Sequence, residues 1–398
     1  MTEKRFKLRF SGFDEDWIEI NIKNYSTIKG RIGWRNLKQS EYTESGPYLI
    51  AGKHITNGII NWTECDHLSM ERYDESPEIA LKSGDVIFSK DGSLGNPALI
   101  RELPDKATIN GTMMLVRLHD KVTPNFFYQV LNSDSFLRLL HVLKSGSSIP
   151  HIFQRDMENF KFKIPQSLKE QNQISSFLEV VDEKIGLLKK KYESYVNFKK
   201  YLMQQIFAQK LRFANFTEEW KTVKIKDIFD ERSEKGFSDL ELLSVTLNDG
   251  VIKRSEIESK DNSNENKSNY KHVLPDDIVY NSMRMWQGAS GVSSYEGIVS
   301  PAYTILIPKN AYSKFFGYYF KTNEMIHQFK KYSQGLTSDT WNLKYPLISE
   351  IKIKIPSIDE QKEITNVFET IDLKTKILQN NLEEVMTFKK GLLQQMFV

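Results

Sequence analysis

At 398 residues the chain is too long for one typical hydrophobic core, and it asks for two globular units with something between them. Hydrophobic residues at 39% and charged residues at 27% exclude a disordered or membrane-embedded composition, and the one cysteine, Cys65, excludes an intrachain disulfide and every multi-cysteine zinc pattern. Net charge is only +3, from 55 basic and 52 acidic residues, so any nucleic-acid footprint has to be local, with acidic residues placed elsewhere.

Met1 to Phe10 carry four basic side chains and no apolar run, and no stretch of the chain reaches the roughly 18 apolar residues that span a bilayer. The expectation is a cytoplasmic protein with no membrane partner, in which Cys65 is a spectator. The first recognisable string is Lys7-Leu8-Arg9-Phe10 with Phe13 and Trp17, leading into the alternation Ile18-Ile20-Ile22, which predicts a short strand. Gly84-Asp85 predicts a turn before a strand over Val86 to Phe88. A second alternation, Phe160-Phe162-Ile164, is closed by Pro165 and hands over to a helix.

From Ile174 the apolar positions of that helix run Leu178, Val181, Ile185, Leu188, Tyr192, Tyr195, Leu202 and Ile206. Steps of four and three kept up this long predict a coiled-coil seam, and each helix of this length reaches about 57 Å at about 1.5 Å per residue. Lys199 falls on the seam, where an unpaired cation is costly, so the seam is expected to open there or to supply a partner.

The chain then repeats itself. Lys210-Leu211-Arg212-Phe213 with Phe216 and Trp220 copies the first string, and Val223-Ile225 again predicts a strand. Asp276-Asp277 predicts the turn before a strand over Ile278 to Tyr280, and Ile351-Ile353-Ile355-Pro356 leads into a second helix. There Glu360-Gln361, Ile364, Glu369, Asp372, Phe388-Lys389-Lys390, Leu392, Gln394-Gln395 and Phe397 copy Glu170-Gln171, Ile174, Glu179, Asp182, Phe198-Lys199-Lys200, Leu202, Gln204-Gln205 and Phe207. Between these anchors the halves share little identity, so a scaffold is repeated while its content differs.

Two equal helices that follow two related lobes can pair antiparallel, under an approximate two-fold. That symmetry suits duplex DNA read at two half-sites, which differ because the lobes differ. The predicted architecture is α+β: two α/β lobes joined by two long antiparallel coiled-coil helices, with a pseudo-two-fold internal repeat. The boundaries are 1–165 and 210–355 for the lobes, 166–209 and 356–398 for the helices.

This order, with the helix entries Ile164-Pro165 to Glu170-Gln171 and Ile355-Pro356 to Glu360-Gln361, resembles type I restriction-modification specificity subunits. So do Ala51-Gly52-Lys53-His54-Ile55, Gly84 to Ser89 with Gly92-Ser93-Leu94-Gly95, and Asp277 to Gly288 followed by Gly297 to Tyr303. The resemblance covers essentially the whole chain and rests on order and duplication rather than on one motif. It implies two target-recognition domains, each reading one half of a bipartite asymmetric site, and helices that act as a ruler and dock two methyltransferase subunits. Motor-nuclease subunits would join for restriction. S-adenosylmethionine, ATP and magnesium would belong to those partners, and this chain would bind no cofactor or metal and catalyse nothing.

Enzymatic alternatives find little support. Asn96-Pro97-Ala98-Leu99 lacks the second proline and the aromatic of an adenine methyltransferase tetrapeptide and reads as a turn. Gly46 to Gly52-Lys53 has the wrong spacing for a phosphate loop and His54 in place of its Ser or Thr. A nuclease of the acidic-plus-lysine type could draw on Pro275-Asp276 and Glu350-Ile351-Lys352, but these stand far apart in sequence, and the seven histidines show no ligand spacing. A coiled-coil assembly protein without a DNA role explains the helices but leaves the divergent lobes idle.

Base readout needs hydrogen-bonding side chains on exposed loops, and phosphate contacts need cations or backbone amides. The DNA-facing candidates in the first lobe are Lys53, His54, Asn57, Lys90, Ser93, Ser147, Ser148 and Gln154. In the second they are Asn281, Arg284, Trp286, Gln287, Thr337, Ser338 and Asn342. Arg284 leads, because its guanidinium keeps its charge and can bind guanine bidentately. Trp286 is more often a core residue than a stacking platform.

Overall fold

The computed structural model describes residues 8–30, 37–145, 150–258, 263–337 and 340–397. The chain divides into two compact units, Met1–Lys189 with Asn380–Val398, and Lys190–Gln379. Each therefore contains one lobe, half of the helix Leu168–Phe207 and half of the helix Ile358–Met396.

In the first unit the strand Ile18–Asn21 pairs antiparallel with Lys161–Ile164, tying the start of the lobe to its end. A four-stranded antiparallel sheet follows in the order Ser26–Lys29, Met113–Leu118, Val86–Ser89, Gly95–Leu99. The second unit repeats both devices: Lys221–Lys224 pairs with Lys352–Ile355, and the sheet order is Phe229–Arg232, Tyr303–Pro308, Ile278–Asn281, Ser290–Val292. Beyond them the lobes diverge. The first adds a three-stranded sheet around Thr43–Ile50, one pair of it parallel, and the second adds two separate two-stranded antiparallel sheets.

Two local expectations are corrected. The strands before the four-stranded sheets stop one residue short of Ile22 and Ile225, because Asn21 Oδ1 accepts from Lys23 N and Asp227 Oδ2 from Lys224 N, and both capped segments turn helical. Asn96-Pro97 lies within the strand Gly95–Leu99, where a register shift and a φ of +51° at Asn96 make a bulge; the Asn96 amide donates to Ile55 O at 3.0 Å.

The predicted turn equivalence holds in detail. Gly84 and Asp276 both take positive φ, and the next residue, Asp85 or Asp277, accepts from Lys82 N or Leu274 N. Both carboxylates are almost fully buried and each takes an arginine in two-point contact: Arg117 for Asp85, from the neighbouring strand, and Arg232 for Asp277, from the edge strand beyond it. The repeat thus keeps the ion pair while moving its cation.

The long helices explain the repeated strings. Glu170 is 1% exposed and receives Arg9 at 2.7 and 2.9 Å and the Trp17 indole N–H at 3.1 Å. Glu360, also 1% exposed, receives Arg212 at 2.8 and 2.7 Å and Trp220 at 3.3 Å. Gln171 and Gln361 accept from Thr123 N and Tyr312 N and donate to the carbonyls of Pro165 and Pro356, closing the strand-to-helix corner.

Within the first unit Ile174, Leu178 and Val181 share a core with Leu392, Met396 and Phe397. Within the second, Ile364, Phe368 and Ile371 share one with Leu202, Ile206 and Phe207. The start of each helix lies against the end of the other, so the pair is antiparallel. Lys389 meets Asp182 at 2.6 Å and Lys199 meets Asp372 at 2.5 Å, so the cation expected to burden the seam is answered by the repeated aspartate. Between these ends the seam positions Ile185, Leu188, Tyr192 and Tyr195 are only half-buried.

Candidate nucleic-acid interface

Both lobes present the same turn, following the third strand of the four-stranded sheet. A later segment is sewn onto it by one backbone bond, Ile152 N to Lys90 O in the first lobe and Leu343 N to Ser282 O in the second, each 2.9 Å. Ile152 and Leu343 are fully buried anchors, so the residues beside them are held at the surface at fixed places.

In the second lobe the turn carries Asn281, whose side chain accepts from Met283 N at 3.0 Å, and then Arg284, exposed and without a side-chain partner among the described residues. A short helical turn, Met285–Gln287, is closed by Gly288 at φ +86°, and it leaves Gln287 exposed. Trp286 is half-buried: its N–H donates to Met283 O at 3.1 Å and its ring meets Trp341 edge to face at 5.2 Å. Lys330 lies over the Trp341 ring at 5.5 Å. Arg284, Gln287, Trp341 and Lys330, from three separated segments, thus surround one turn. Thr337 is exposed nearby in sequence, Asn342 is half-buried with its backbone paired to Gln334, and Ser338 lies outside the described residues.

The equivalent turn of the first lobe is built differently, and one expectation for it is corrected. Lys90 is 4% exposed and its ammonium is spent on Asp91 at 3.0 Å, so it is not a surface cation for phosphate. Asp91 also holds the His151 ring. His151 in turn lies 4.4 Å from exposed Phe153, over which Arg155 sits at 5.1 Å. Ser93 is exposed, and Gln154 is half-buried, accepting from Gly30 N at 3.4 Å and donating to Glu158 at 2.9 Å. Ser147 and Ser148 lie outside the described residues.

Of the remaining first-lobe candidates one is buried and two are engaged by charged or polar partners. His54 is corrected to a core residue: it is 2% exposed, accepts from Ala51 N at 3.0 Å, and burial lowers its pKa. Lys53 is exposed and pairs with Asp66 at 3.0 Å, while Asn57 accepts from Lys189 of the long helix at 2.7 Å. His151, Phe153, Arg155, Lys330 and Trp341 were missed as candidates. The signal for them was the alignment of Ile152 with Leu343, which the repeat contains but which low identity hides.

One acid of the nuclease alternative is engaged by two lysines. Glu350 is clasped by Lys224 at 2.6 Å and Lys226 at 2.5 Å, and their ammoniums hold its carboxyl down at about 2. Among the described residues no three His, Cys, Asp or Glu side chains gather as a metal-binding group, and no helix is long and apolar enough to cross a membrane.

The duplicated frame with divergent faces defines a two-lobed recognition protein. The chain belongs to the family of type I restriction modification DNA specificity domains, which it matches twice, over residues 14–194 and 217–387. It is 25% identical to the type I restriction enzyme MjaVIII specificity subunit of Methanocaldococcus jannaschii, covering 95% of this chain and 91% of that one. It is 22% identical to the putative MjaX specificity subunit of the same organism, covering 98% and 95%. Its fold is shared with the S subunit of a type I restriction-modification system from M. genitalium, at TM-score 0.62 and 16% identity over 98% of each chain. It is also shared with a chain solved in work on complex assembly and conformational transition of the type I R-M system, at TM-score 0.56 and 16% identity over 96% and 97%.

Proposed function

We propose that this chain is the cytoplasmic DNA-recognition subunit of a type I restriction-modification complex, in which each lobe reads one half of a bipartite asymmetric site. The observation that carries this reading is the contrast between frame and face. The Arg-Trp-Glu clip, the Gln corner and the Lys–Asp seam pairs are duplicated atom for atom, whereas the equivalent surface turns carry Lys90-Asp91 in one lobe and Ser282-Met283-Arg284 in the other. Selection for different base sequences accounts for that pattern; a purely structural assembly protein has no need of it.

In this reading Arg284 and Gln287 contact base edges or phosphates, and the helices set the spacing of the half-sites. Two methyltransferase subunits dock on the helices, whose outward faces repeat exposed apolar residues at equivalent positions: Leu187 and Ile377, Val196 and Met386, Phe198 and Phe388. S-adenosylmethionine, ATP and magnesium are carried by the methyltransferase and motor-nuclease partners, and this subunit contributes no catalytic residue.

The test is to co-express the chain with a cognate methyltransferase subunit and to map methylated adenines on host DNA by single-molecule sequencing. A split asymmetric motif that disappears when the chain is omitted supports the reading. A stable complex that yields no motif overturns it.

A further inference from the structure

The two equivalent turns differ in where a cation stands free. In the second lobe it is Arg284, on the turn itself. In the first lobe the turn's own cation, Lys90, is buried against Asp91, which also holds the His151 ring. An exposed cation returns there on the segment that Ile152 sews to the turn. Just past that anchor Arg155 is exposed, and its guanidinium lies over the Phe153 ring at 5.1 Å.

Among the described residues no carboxylate takes the Arg155 charge, because the two acids beside it are engaged elsewhere. Asp156 Oδ2 accepts from Phe153 N at 2.8 Å, and Glu158 Oε1 accepts from the Gln154 amide at 2.9 Å. Of the described arginines of the first unit, Arg9, Arg72, Arg101 and Arg117 are each bound to a carboxylate. Arg138 and Arg155 are not; Arg138 donates to Ser135 of its own helix, and only Arg155 belongs to the segment bonded to the turn. Phe153, the ring beneath it, is 49% exposed and also touches His151, 4.4 Å between centroids. A guanidinium stacked on a ring keeps its N–H edge free for acceptors in its own plane, and that plane is set before a ligand arrives. DNA offers acceptors in that form as O6 and N7 of a guanine or as two oxygens of one phosphate.

We propose that Arg155, propped on Phe153, is the first lobe's cationic contact to DNA and takes a guanine edge or a phosphate within that lobe's half-site. It supplies the charge that Asp91 withdraws from Lys90. This deepens the DNA-recognition reading above and rests on it. The test uses the full chain in complex with its methyltransferase subunits and duplexes bearing the mapped site, the first lobe's half-site being the one that changes on lobe exchange. Arg155→Ala is expected to weaken binding about five-fold or more, the worth of a two-point contact, with an unchanged thermal midpoint. Phe153→Leu should share part of that loss, and Phe153→Tyr, which keeps the ring, should recover it.

Single replacement of each guanine of that half-site by 7-deazaguanine separates the two acceptors. For a guanine edge, wild type loses affinity at one position and Arg155→Ala is indifferent there. For a phosphate, no position matters and Arg155→Ala lowers the slope of log affinity against log salt by about one. The proposal is overturned if Arg155→Ala or Phe153→Leu binds as wild type does, or if Arg155→Ala loses affinity with neither signature. Each of these results leaves bipartite recognition standing. Failure of the wild-type complex to bind any specific site removes that recognition, and this inference with it.

Discussion

Glu170 and Glu360 owe their stability to two donors each, and removal of the stronger donor leaves a buried carboxylate answered mainly by an indole N–H. Arg9→Ala and Arg212→Ala are each expected to destabilise their own unit by about 3 kcal/mol, read by urea unfolding. Equal stability of either variant with wild type would show the clip to be dispensable. Cys65 is buried in the core beneath the three-stranded sheet, and desolvation pushes its thiol up to about 11. It should therefore resist a thiol reagent at neutral pH until the first lobe opens, and fast labelling of the native chain would contradict its burial. His54 is held neutral by burial. Its pKa lies lower in the folded chain than the roughly 6.5 of the unfolded one, so its stabilising share is complete above that value and is lost as pH falls below it. Thermal midpoints measured from pH 7.5 down to 5.5 should fall less for His54→Gln than for wild type.

At the scale of the element, the helix pair is specified as much by charge as by apolar repeat. Each half carries both an aspartate and a lysine, and antiparallel pairing sets Asp182 against Lys389 and Asp372 against Lys199. The aspartates take further donors from the lobes, Gln129 at 3.2 Å and the Tyr318 hydroxyl at 2.8 Å, which locks lobe and helix together. Lys389→Asp should weaken the first unit and Asp182→Lys in the same chain should restore part of the loss, with a coupling of about 1 kcal/mol in a double-mutant cycle. Strict additivity would assign the register to the apolar positions alone. The seam itself was legible from steps of three and four; the answer to its lysine was not, because a helix repeat says which residues share a face but not which residue of another helix comes opposite.

For the whole molecule the ruler makes a geometric claim. Seven residues added to each helix at matched positions, after Gly186 and after Lys376, lengthen the pair by about 10 Å. That is about three base pairs at 3.4 Å each, and the spacer of the methylated motif should grow accordingly while both half-sites stay the same. An unchanged spacer would end the ruler role. Exchange of the segment from Lys23 to Phe160 for that of another lobe should change one half-site only. Binding should weaken steeply with salt in proportion to the phosphates contacted, and salt-independent affinity would contradict phosphate contact by either lobe.

The amino-acid sequence by itself determined the duplication, the two strand-to-helix corners, the two long seam-bearing helices and the family, since all of these rest on local periodicity and on strings that recur intact. Tertiary structure decided what a surface is. Lys53-His54 looks like one basic, exposed dipeptide, yet one side chain points to water and the other into the core, because the helical turn Gly52–His54 sends successive side chains in different directions. Lys90 looks like a phosphate ligand until Asp91 takes its charge. Burial and partnership belong to pairs of residues distant in sequence, and in the divergent lobes no repeat was available to betray them.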